Sequence, residues 1–149
     1  MQQVAEVVRR SVDAGRQAVI GRVIELKGFS TLPVDELVAI DDAGGFHGEL
    51  LGRTGAERLG AAAAGMFDGA GRLETVNVSI HGPTVKELGL ACGGQAEVLL
   101  QPASAIPAQV WTLLAGRAPV AMVTVIDGPA AGPSALAVDR DGQTWGNLA

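Results

Sequence analysis

The sequence predicts an α+β fold: a mixed β-sheet built from two echoing three-strand units, with a few flanking helices, in a single domain spanning 1–149. Three observations lead there. The chain has 149 residues, 48% of them apolar and 18% charged, enough for one proper core in a globular protein. Short apolar, β-branched runs recur between glycine-rich turns. The last third of the chain also repeats the order of elements seen in the first.

The elements follow in order. Val4, Val7, Val8 and Val12, followed by Gly15, give helical spacing with a glycine stop, so a helix is expected near 3–14. "AVIGRVIEL" (18–26) is rich in β-branched residues and reads as a buried strand. After the loop "KGFSTLP" (27–33), "DELVAID" (35–41) and "FHGELL" (46–51) form a hairpin around "DAGG" (42–45). "TGAERLGAAAAGMF" (54–67) is helical through its alanines, with a helix expected near 54–66, although Gly60 and Gly65 weaken it. A turn at "DGAG" leads to the strand "RLETVNVSI" (72–80), then to a loop over 81–94 with one helical turn around Val85 to Leu88. "QAEVLLQP" (95–102) is a strand, and Pro107 opens a short helix near 107–114 that carries Trp111.

The echo begins at Ala14-Gly15-Arg16 and again at Ala115-Gly116-Arg117, giving units of about 14–52 and 115–149. Each continues with an apolar strand, a proline-bearing loop (Pro33, Pro133), a second strand, a glycine turn (Gly44, Gly142) and a last strand with Gly48 or Gly146. The two units are expected to share one sheet or to stack as two. The final strand has nothing after it to cover its edge, and an open edge invites pairing with another chain, so a homodimer is expected.

Composition sets aside several functions. A net charge of −5 without a basic stripe argues against nucleic acid. The longest apolar run, 118–126, is about half the length of a membrane span, and the charged N-terminal helix does not read as a secretory signal. A cytoplasmic location is the default expectation. A single cysteine, Cys92, cannot build an internal disulfide. "GAGRLE" (69–74) lacks the third glycine of a dinucleotide loop and precedes a strand, so no NAD site is expected. "HGE" (47–49) with Cys92 lacks the second cysteine of a zinc deaminase, because Gln95 stands three residues on. His47 and His81 are the only histidines, and nothing in their spacing marks a metal site. "DD" (41–42) and "DRDG" (139–142) read as turns.

One stretch stands out: "GLACGGQAEVLL" (89–100) sets the lone thiol among glycines just before a strand. Cys92 there reads equally as a small buried hydrophobe beside a tight turn, or as a thiolate activated by converging main-chain N–H groups. In the second reading Gly93 and Gly94 form a nest able to receive an anion.

"LGLACGGQAEVLLQP" (88–102) resembles the Gly-x-x-Cys-Gly-Gly segment and following strand of the XdhC/CoxI family. "VIELKGFSTLP" through "GELLGRTGAERL" resembles that family's first segment, and "VAMVTVIDGPAAGPSALAVDRDGQTWGNLA" its order after the cysteine. The resemblance covers essentially the whole chain. It implies an accessory protein that transiently binds molybdenum cofactor (molybdopterin) and assists its sulfuration or its insertion into the apo-enzyme of a molybdenum hydroxylase, of the xanthine dehydrogenase or CO dehydrogenase type. Gly89, Cys92, Gly93 and Gly94 match the family's cofactor-handling motif, with Cys92 also the candidate for sulfur transfer.

The chain departs from the family at three places. The first loop, Gly28-Phe29-Ser30-Thr31-Leu32-Pro33, lacks the usual arginine. The usual glycine triplet, cysteine and glutamate are replaced by Gly52-Arg53-Thr54-Gly55-Ala56-Glu57. The Rossmann-type domain that normally follows is missing, which suggests a separate Rossmann-domain partner. The alternative implied by these departures is a non-catalytic protein–protein adaptor.

Overall fold

The computed structural model describes residues 1–28, 36–69, 71–81, 86 and 93–148, with the side chain of Ile80 left aside. Three α-helices are seen among them: α1 (Gln2–Asp13), α2 (Ala56–Phe67) and α3 (Ala108–Ala115). Eight strands accompany them: β1 (Ala18–Gly28), β2 (Leu37–Asp41), β3 (Phe46–Gly48), β4 (Glu74–Ile80), β5 (Gly94–Pro102), β6 (Val120–Thr124), β7 (Ala135–Asp139) and β8 (Thr144–Gly146). The α+β class stands. The expected mixed sheet takes the form of two separate sheets, one ordered β3-β2-β1-β5-β4 and one ordered β6-β7-β8, and every described pairing is antiparallel. Of the helical turn expected at Val85 to Leu88 only Lys86 is among the described residues, and it is helical.

Side-chain alternation decides which face each strand gives to which core. Val19 and Val23 of β1, Val38 and Ile40 of β2, and Val98 and Leu100 of β5 meet Leu59, Ala63 and Met66 of α2. Those α2 residues lie four and three apart, so they share one stripe of the helix. The opposite face contributes Ala18, Ile20 and Ala39 to a second core with Val4, Ala5 and Val8 of α1, Val110 and Trp111 of α3, and Ala135 and Ala137 of β7. The middle of the five-stranded sheet is thus covered on both sides, which is why "EVLLQ" reads as a nearly continuous apolar run. Gln101 is the buried polar residue within that run. Buried to 1% exposure, its amide donates to Thr124 Oγ1 at 3.2 Å and to the Pro133 carbonyl at 2.6 Å, tying β5 to the second sheet.

The two expected units are visible as two meanders, β1-β2-β3 and β6-β7-β8, each preceded by a helix. Their hairpins match bond for bond. The Asp41 amide donates to the Gly45 carbonyl and the Gly44 amide to the Asp41 carbonyl, as Asp139 does to Gln143 and Gly142 to Asp139. Gly44 and Gly142 take φ of 84° and 83°, the left-handed position such a loop requires.

The helix ends match too, but one residue out of step with the sequence echo. Gly15 (φ 70°) donates to the Val12 carbonyl and Arg16 to that of Ser11, a Schellman closure of α1. In α3 the same two bonds run from Arg117 to Leu114 and from Ala118 to Leu113. Arg117 (φ 59°), and not Gly116, therefore occupies the left-handed position. The strand registers agree: Ala18 faces Asp41 as Val120 faces Asp139. Aligning the two Ala-Gly-Arg triplets is a register error of one residue, because backbone geometry and not residue identity sets the helix stop.

Candidate functional site

Three strand ends meet where the sequence placed its cysteine segment. Gly94 opens β5 and is paired with Gly28, the last residue of β1, and with Ile80, the last residue of β4. Gly28 and Gly94 are needed for a close backbone approach. A Cβ on Gly28, which has φ 111°, would lie 2.9 Å from the Gly93 carbonyl oxygen and from the Gly94 Cα, and one on Gly94 would run into the Lys27 carbonyl. Gly28 and Gly94, far apart in sequence, thereby meet at the same sheet end.

Of the four sequence-predicted site residues, Gly93 and Gly94 are described, while Gly89 and Cys92 lie outside the described residues. Gly93 is exposed and precedes the strand, whereas Gly94 is flanked by strands on both sides. The structural requirement at Gly94 is steric. His81, exposed, follows Ile80 at this same end.

His47 is at the opposite end of the sheet. Its Nε2 lies 2.7 Å from Asp41 Oδ2, in the first hairpin. The other Asp41 oxygen accepts from the amides of Ala43 (3.0 Å) and Gly45 (2.7 Å). Burial alone would raise the Asp41 carboxyl, but the His47 ring and these two amides outweigh it and hold the pKa below its ordinary value. His47 thus locks a turn and is separated from His81 by the length of the sheet. Among the described residues no three His, Cys, Asp or Glu side chains gather as metal ligands would.

Two features went unnoticed in the sequence. Arg22, in the middle of β1, shares a face with Ile20 and is paired with Leu37 and Leu99. Its Nε is buried with no partner among the described residues, and burial pushes its guanidinium below the ordinary value. The signal was there, as a lone arginine within "AVIGRVIEL". The second feature is a pair of adjoining clefts of about 500 and 400 Å³, both bordered by Val12, Ala103 and Ser104. They sit by the start of β1 and the end of β5, the far end from Gly28 and Gly94. Among the described residues Arg16 is the only charged side chain lining them, so they offer space without a reactive constellation.

No family model and no curated protein matches the chain. Its fold is similar to that of a solved structure named as a xanthine dehydrogenase from Bacillus halodurans, with a TM-score of 0.69 and 18% sequence identity over 97% of this chain. The chain spans 45% of the length of that protein. No helix among the described residues is long and apolar enough to cross a membrane.

Proposed function

We propose that this chain is an accessory protein of a molybdenum hydroxylase system, in the manner of the XdhC/CoxI family, which binds molybdenum cofactor and assists its sulfuration or insertion. The observation that carries this reading is the fold likeness over 97% of the chain to a protein named as a xanthine dehydrogenase. The meeting of Gly28 and Gly94 supports it, since in the sequence Gly28 opens the first loop and Gly94 closes the cysteine motif. When bound, the cofactor supplies a molybdenum centre able to accept sulfur. Gly89 and Gly93 offer main-chain groups to an anionic part of it, Gly94 fixes the segment to the sheet, and Cys92 carries or passes the sulfur. The partner is the hydroxylase apo-enzyme.

The test is retention of molybdenum and pterin fluorescence by the purified chain after mixing with released cofactor and gel filtration. The parent chain is expected to retain both, and Cys92→Ser to lose at least about tenfold in affinity, the scale of one charge-assisted contact. A Cys92→Ser chain that binds as the parent does takes the thiol out of the mechanism. A parent chain that retains neither favours the adaptor alternative.

A further inference from the structure

The register match between the two meanders shows what the second one lacks. β1 is paired on one side with β2 and on the other with β5 along nearly its whole length. β6, its counterpart, is paired with β7, and among the described residues its other side is paired with nothing. The remaining sheet edges are guarded. β3 and β8 have three residues each, and β4 carries Glu74 and presents Asn77 outward. β6 lies in the uncharged run "APVAMVTVI" (118–126), and two of the four exposed large apolar side chains among the described residues, Val123 at 47% and Ile126 at 49%, belong to that run.

We infer that the open side of β6 pairs antiparallel with β6 of a second copy of this chain, joining the two three-stranded sheets into one of six strands. The occupant follows from self-complementarity. A two-fold axis at Met122 sets Ala121 opposite the partner's Val123 and Val120 opposite the partner's Thr124, with no like charges facing. The sequence pointed to the last strand as the pairing edge; the structure gives that strand only three residues, too few to compete.

A pair of five-residue strands is small against a standard interface of about 800 Å² per partner, so association is concentration-dependent. Sedimentation velocity is expected to show monomer at about 5 μM and mainly dimer by several hundred μM. Ala121→Glu with Val123→Glu places acidic side chains opposite one another across the new strand pair. Both positions are exposed, so the monomer keeps its circular dichroism and melting profile while the dimer is lost. Thr144→Lys, on β8, leaves the dimer intact. A parent chain that stays monomeric to about 1 mM overturns the inference. So does a dimer that survives the double glutamate variant, or one abolished by Thr144→Lys alone.

Discussion

Asp41 and Asp139 open turns with the same backbone bonds, yet the first strands of their two meanders face different surroundings. In the first meander Val19 is buried under α2, and Gly21 is so confined that a Cβ there would come within 2.8 Å of Val38 Cγ1. Their register counterparts in the second meander, Ala121 and Val123, are exposed. The polar decoration differs in the same way. His47 closes onto Asp41 in the first turn, and in the second its counterpart is Trp145, packed against the inner core. A duplicated backbone needs the same turn residues in both copies. The side chains on its faces are set by what packs against each copy.

The largest expected effect tests that difference in cover. Leu59→Ala removes a fully buried α2 side chain and is expected to cost about 2–5 kcal/mol, while Val123→Ala, on the exposed face, stays within about 0.5 kcal/mol. Urea unfolding of the two variants compares them directly, and equal costs would mean that the faces are equivalent after all.

The turns differ by a smaller amount. Asp41→Asn weakens the bonds from His47, Ala43 and Gly45, at an expected cost of about 1 kcal/mol at pH 7, and Asp139→Asn costs less because no histidine reaches it. The folded-state pKa of Asp41 is depressed. Its carboxylate therefore contributes in full above the unfolded value of about 3.9, and the contribution is lost as the pH falls through the lower folded value. The gap between Asp41→Asn and the parent should shrink below about pH 4. A gap that persists unchanged at pH 2 would show that the charge is irrelevant to the turn.

The helix ends differ least. Gly15→Ala forces a side chain into a left-handed position and should destabilise by about 1 kcal/mol, with no clash to add, since nothing lies within 4 Å. Arg117→Gly relieves the same strain in the other copy, offset in part by loss of the 2.8 Å bond from Arg117 Nε to Gln2. A gain of about 0.5 kcal/mol in thermal unfolding is expected. No gain would mean that the arginine contact fully offsets its backbone cost.

Much of this was legible in the sequence. The glycine turns, the valine stripe of α1, the alanine-rich α2 and the order of strands all follow from local patterns, and the structure shifts their ends by a few residues. Arg117 was misread because two identical triplets invited alignment, while the last turn of α3 ends one residue later. Arg22 and Gln101 were passed over because a polar residue inside an apolar strand is interpretable only once its neighbours are known.

The sequence by itself determined the turns, the glycine stop of α1 and the periodicities, since these depend on φ preferences and on hydrogen bonds spanning about five residues. Only the tertiary structure decided that β1 lies beside β5, that Gly28 therefore meets Gly94, and that one meander is covered while the other is open. Those pairings join residues some 70 positions apart, and they are selected by which apolar faces can be buried together.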